Sequence, residues 1–218
     1  MIAKGEPWER PVAAGIVPDL VVTGDDRALV DALEPWRDGV PLVAWTPRAS
    51  AFAGSIGLGA DGPSRSLEVA CDLVVMAGAE RPALNAVVFG KFPAGRFTRD
   101  ATITCTVDGR EVFSGRATNV IVGNGQFVAG ADLFPRGHPG DGRAEVLVIG
   151  VPKAQRAAFR ERLASGDATR HADVHRASGA DVQIAADRPL DVFLDGVKAP
   201  GVRAAEIHVR PGAFRLLL

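Results

Sequence analysis

The stretch that most constrains the fold runs from Ala117 to Val151, ATNVIVGNGQFVAGADLFPRGHPGDGRAEVLVIGV. It opens on Val120-Ile121-Val122, β-branched residues in succession, the pattern of a strand covered on both faces. A glycine-bearing segment, Gly123 to Gly130, follows, and its glycines permit positive φ or a close approach by another segment. The long turn Pro135-Arg136-Gly137-His138-Pro139-Gly140-Asp141-Gly142 then returns the chain to a second apolar strand, Glu145 to Ile149.

Upstream, Asp19 to Thr23 reads as a short buried strand. A helical pattern from Arg27 to Trp36 follows, with Leu29, Val30 and Leu33 on one face. Asp25 or Asp26 suits the N-cap, and Pro35 or Gly39 the end. Pro41 to Trp45 is a second strand, and Ser50 to Gly57 a second helical piece. Strand, helix, strand, helix at this spacing implies neighbouring parallel strands. The Gly/Pro/Ser turn Asp61 to Ser66 marks a crossover.

Strands are expected at Leu67 to Val75 and Leu84 to Gly90. Ala101 to Gly115 is the clearest hairpin: Ile103, Cys105 and Val107 alternate with threonines, and Asp108-Gly109 suits a type I′ turn. Pro152 to Leu163 is helical, with Gly166 as its stop. Strands follow at Asp181 to Ile184, Leu190 to Leu194, Glu206 to Val209 and Phe214 to Leu218, the last two divided by Arg210-Pro211-Gly212. The expected fold is α+β. An arm over 1–15 precedes a small parallel α/β unit over 16–62, packed on a larger antiparallel β-sandwich or barrel over 63–218.

Composition narrows function. A 47% hydrophobic and 23% charged chain is an ordinary globular one, and a net charge of −1 argues against nucleic acid as a partner through a general basic surface. Cys71 and Cys105 lack metal-type spacing and read as buried free thiols, which fits a reducing cytoplasm. The N-terminus has no apolar core of a signal peptide, and no apolar run reaches the ~18 residues of a transmembrane segment. The expectation is a soluble, cytoplasmic protein. Lysine occurs only at 4, 91, 153 and 198, which reads as codon bias.

Asn124-Gly125, Gly130, Pro135 and Asp141-Gly142, set between two apolar strands, resemble the β-domain of bacterial diacylglycerol kinase-like lipid kinases, distant in fold to NAD kinases and sphingosine kinases. Gly166, His171, Val174, Pro189, Asp195-Gly196 and Pro211-Gly212 fit the closing order of that family. Its phosphate loops read Gly-Gly-Asp-Gly-Thr after one strand and Pro-x-Gly-Thr-x-Asn-Asp-Phe-Ala after the next. Here the first is Gly24-Asp25-Asp26-Arg27, keeping Gly24 and Asp25; the second is Pro47 to Ala53, keeping Phe52 and Ala53. The family opens with a strand-helix-strand unit for which little chain precedes Leu20, so the resemblance implies a truncated NAD kinase-like half.

That resemblance implies roles. Asp195 is the candidate catalytic base, with Val197 where the family has a glutamate. Gly24, Asp25, Arg27, Arg48 and Asn124 are the candidate cofactor-binding residues, and Asp141 the candidate metal ligand, for ATP and Mg. Asp26 would repel a triphosphate at close range, whereas Arg27 and Arg48 would attract an anion. Each has a plainer reading: Asp-Gly pairs are turns in their own right, and loop arginines are commonly solvated. His171-x-Asp173-x-His175 would share a strand face but lacks a fourth metal ligand. Gly57-Leu58-Gly59-Ala60-Asp61-Gly62 has dinucleotide-loop spacing but follows a helix and runs into Pro63.

Three functional readings result. The first is a lipid kinase-like protein with degraded ATP-phosphate motifs, weak or inactive as a kinase, whose cleft still takes a lipid or other small anionic ligand. The second is an active ATP- and Mg-dependent lipid kinase. The third is a structural module that forms a homodimer.

Overall fold

The computed structural model describes residues 9–58 and 67–218, apart from 14, 37, 49, 96, 129 and 165–169. Most of the expected arm, the Asp61 to Ser66 turn, Gly59 to Gly62 and Gly166 lie outside the described residues. The first series is β1 (Glu9–Pro11), β2 (Leu20–Gly24), α1 (Asp26–Leu33), β3 (Leu42–Pro47) and α2 (Ala51–Ser55). Next come β4 (Leu67–Met76), β5 (Ala86–Phe89), β6 (Ala101–Val107), β7 (Arg110–Ala117) and β8 (Asn119–Gly123). The chain closes with β9 (Phe127–Val128), β10 (Ala131–Asp132), β11 (Ala144–Ile149), α3 (Arg156–Ala164), β12 (Val174–Gly179), β13 (Asp181–Leu194) and β14 (Val197–Leu217).

Local chemistry explains the short helices. Asp25 caps α1 by accepting the Ala28 N–H at 3.0 Å, and Ser50 caps α2 by accepting that of Ala53 at 2.8 Å. Both helices bury their apolar residues against β3, β4 and β14, where Phe52 lies between the rings of Trp45 and Phe214. β8 is buried along its whole length. Val120 and Val122 enter the main core of the sheet, while Ile121 packs on the opposite face with Phe159 and Leu163 of α3.

Twelve strands form one sheet, mostly antiparallel. The β2 and β3 strands pair in parallel, as the strand-helix-strand spacing implies, and β3 continues the sheet by pairing in parallel with the end of β14. The two closing segments expected at Glu206 to Val209 and Phe214 to Leu218 form a single strand of 21 residues. Pro211-Gly212 does not end it, because a register shift between Arg210 and Phe214 bulges the pair out of the ladder. Gly212, at φ +55°, turns its N–H to the buried Asp72 carboxylate at 2.7 Å. β13 likewise runs through Pro189 by way of an irregularity between Ala185 and Leu190. No helix among the described residues is long and apolar enough to cross a membrane.

Candidate functional site

Three polar residues from distant parts of the chain meet between α1 and the β13–β14 hairpin. Asp195 and Gly196 form the two-residue hairpin loop, both with positive φ (48° and 79°), as a type I′ turn requires. The turn lays the Asp195 carboxylate against the segment entering β5. There Oδ1 accepts the N–H groups of Asn85 (2.8 Å) and Ala86 (2.9 Å), and Oδ2 accepts that of Leu84 (2.6 Å). Asn85 in turn donates its side-chain amide to Asp26 Oδ2 at 2.6 Å, and Ser50 donates its hydroxyl to Asp26 Oδ1. Asn85 Oδ1 is buried and has no hydrogen-bond partner.

These residues form the polar end of a cavity of about 670 Å³. Val88, Phe92, Phe127, Val128 and Phe193 give it apolar walls, and the exposed side chains of Lys91 and Lys198 border it. Lys198 pairs with Asp191 at 3.0 Å. Burial pushes the Asp195 carboxyl above its ordinary range, the nearby Asp26 charge adds to this, and the three backbone N–H groups oppose it. A carboxyl raised in this way beside an apolar chamber is suited to accepting or sharing a proton with a bound hydroxyl.

The other residues singled out from sequence are placed as follows. Gly24 accepts the indole N–H of Trp45 at 3.2 Å and the backbone N–H of Arg48 at 2.9 Å, and a Cβ there would meet that of Ala28 at 2.8 Å. Arg27 pairs with Asp31 (3.7 Å) on the exposed face of α1, and neither it nor the exposed Arg48 lines the cavity. Asn124 stands behind the site. Its amide donates to the carbonyls of Asp72 and Leu84, both at 2.9 Å, and its N–H to that of Asn85 at 2.7 Å, which fixes the Leu84-Asn85 segment.

Asp141 accepts the Arg143 N–H at 2.9 Å beside Asp72, whose oxygens each take one N–H, from Gly142 and Gly212. His171 accepts the Asp173 N–H, whereas His175 on β12 packs against Phe113, so the His-Asp-His run does not converge. Among the described residues no group of three His, Cys, Asp or Glu side chains could hold a metal ion. Sequence reasoning did not single out Asn85, Lys91 or Lys198 as site residues. The available signals were an asparagine heading an apolar strand and the scarcity of lysine.

Residues 71–218 match the model of the YegS C-terminal NAD kinase beta sandwich-like domain. The chain belongs to that family. The fold is also similar to a diacylglycerol kinase from Bacillus anthracis str. Sterne, at 18% identity and a TM-score of 0.71, over 91% of this chain and 76% of that one. A yeast NADH kinase complexed with NADH is similar at 13% identity and a TM-score of 0.54, over 91% and 61% of the two chains. An NAD kinase from Archaeoglobus fulgidus in complex with ATP is similar at 13% identity and a TM-score of 0.51, over 92% and 78%. At these identities the likeness is one of fold. No curated protein matches the sequence.

Proposed function

We propose that this member of the family holds an amphipathic alcohol of the diacylglycerol class in the Asp26–Asn85–Asp195 cavity and has weak or no kinase activity. The carrying observation is the cavity's division into a carboxylate-and-amide end and apolar walls. A lipid hydroxyl would sit at the polar end, where Asp195 Oδ2 has a single protein donor and can accept a second. The acyl chains would lie along Phe92, Phe127 and Phe193. In this reading residues 16–62, with the parallel β2–β3 pair and their two helices, are the counterpart of an NAD kinase-like nucleotide half, and 63–218 the lipid-kinase-like sandwich.

The N-terminus of α1 argues against a triphosphate. An ATP-binding family would place phosphates there, yet the positive end of the helix is taken by the carboxylates of Asp25 and Asp26. The residues present do not fit the phosphates of ATP, nor does the neighbourhood of Asp141 supply the oxygen set that Mg needs.

The test is a thermal-shift titration with detergent-dispersed diacylglycerol and, separately, with ATP and Mg, alongside transfer of labelled phosphate to the lipid. Stabilisation by diacylglycerol alone, without transfer, is the expected result. Robust labelling of the lipid would instead establish the active kinase, with Asp195 as base. Val17 and Val21 are exposed beside β2, which pairs only with β3 among the described strands. A concentration-dependent dimer that ignores both ligands would therefore favour the structural module.

A further inference from the structure

Among the described strands of the twelve-stranded sheet, β1, β2, β7 and β12 each pair with a single neighbour and so leave an edge open. Three of these edges are guarded in the ways that keep strands from pairing with other chains. β1 is three residues long and ends in proline, whereas β7 carries Arg110, Glu111 and Arg116 and β12 carries Arg176. β2 reads Leu-Val-Val-Thr-Gly, with no charge and no proline, and it meets β3 without a register shift.

The backbone of β2 is set to take a further strand. The Gly24 carbonyl accepts the Arg48 N–H, and its register partner Pro47 has no N–H to give. Residues 20, 22 and 24 therefore carry the bonds to β3, and strand alternation turns the N–H and C=O of Val21 and Thr23 to the open side. Three of the four large hydrophobic side chains exposed among the described residues gather here. Val21 is 74% exposed, Val17 before β2 is 81% exposed, and Val40 before the parallel β3 is 52% exposed. On the face opposite α1 and α2, Val12 and Ile16 cover Leu42 and Ala44 of β3, but that cover does not reach Val21.

We propose that β2 pairs antiparallel with β2 of a second copy of this chain, across a two-fold axis at Val21, so that one sheet runs through both molecules. The strand is its own complement. That axis sets the outward N–H and C=O of the two Val21 residues against each other and packs their side chains as a cross-strand pair. It also sets Thr23 opposite Asp19 of the other copy, a hydroxyl facing a carboxylate. An in-register parallel pairing would instead lay Asp19 beside Asp19. The two-fold contact uses the same edge twice and closes at two copies. It is short, so the dimer should depend on concentration. The pairing asks nothing of the cavity and stands apart from the lipid reading above.

Sedimentation velocity of the full chain without ligand tests this, from about 1 to about 200 µM, and should show monomer passing to dimer. Val21→Lys, a change at an exposed side chain, brings two like charges together at the axis. It should raise the midpoint concentration roughly a hundred-fold while leaving the melting temperature of dilute protein unchanged. Mild oxidation should lock Val21→Cys as a covalent dimer but not Thr23→Cys, because the paired Cα atoms would stand about 5.5 Å and about 14 Å apart. The native Cys71 and Cys105 are buried and should not interfere. A monomer throughout the range, a dimer unaffected by Val21→Lys, or locking by Thr23→Cys in place of Val21→Cys would each overturn the proposal. Failure of the cavity reading would show separately, as no diacylglycerol shift in either wild type or Val21→Lys.

Discussion

Asp108 and Asp195 occupy the same position in two hairpins and make the same kind of contact in opposite surroundings. Each opens an Asp-Gly turn at φ +48°, and each carboxylate accepts backbone N–H groups of a neighbouring segment. Exposed Asp108 is held below the ordinary carboxyl range by its bond from Asp181, whereas burial pushes Asp195 above it. The turn explains why an aspartate stands at each place; the surroundings make one of them chemically unusual.

Truncating these two residues should separate the roles. Asp195→Ala strands three N–H groups beneath the cavity and should cost about 3 kcal/mol in urea denaturation. Asp108→Ala should cost less, because water can replace its carboxylate. The Asp108 contribution is present above the unfolded carboxyl pKa and is lost on acidification through its depressed folded value; the Asp195 contribution runs the other way. A larger loss for Asp108→Ala would contradict this assignment.

Asp26 is the clearest obstacle to a triphosphate. Asp26→Asn keeps an acceptor for Ser50 or Asn85 while removing the charge at the start of α1. Calorimetry should find ATP binding strengthened by roughly five- to ten-fold, from a fraction of the Coulomb energy of one removed charge. Unchanged affinity would show that the α1 terminus is not where phosphates would sit.

Burial pushes the Asp72 carboxyl up to about 6, against the lowering effect of its bonds from Gly212 and Gly142. A raised carboxyl pKa means the folded state holds its proton longer than the unfolded chain. Its stability contribution therefore falls as pH rises from about 4 to about 6 and is flat above, a change of about 3 kcal/mol. Denaturation of wild type against Asp72→Asn across that window should reveal the difference, and parallel curves would refute it.

Arg156 is buried with its guanidinium given to the carbonyls of Val151 and Thr98 and to the carboxylate of Asp100. Arg156→Met fills the volume but releases all three acceptors. It should lower stability by about 3 kcal/mol, Asp100 being only partly buried, and should expose the Gly95–Thr98 turn to proteases. An unchanged digestion rate would mean the turn is held by its own hydrogen bonds.

The parts legible in the sequence are those whose signal is local. The β6–β7 hairpin follows from the alternation of Ile103, Cys105 and Val107 and from Asp108-Gly109, and the start of α1 from the Asp25-Asp26 pair, of which Asp25 is the cap. The length of β14 was not legible, because Pro211-Gly212 is an ordinary strand break unless a distant acceptor takes the Gly212 N–H. That acceptor, Asp72, lies 140 residues away. Asn85 was hidden for the same reason, its partners Asp26 and Asp195 standing 59 and 110 residues off. Scarce lysine reads as codon bias in a list, yet Lys91 and Lys198 both border the cavity.

β14 starts beside Asp195, runs between β13 and β4, and ends against β3. Prising the first helices away from the sandwich would mean breaking the parallel pairing of β3 with the end of β14, so one strand ties the opening helices and the sandwich into a single sheet.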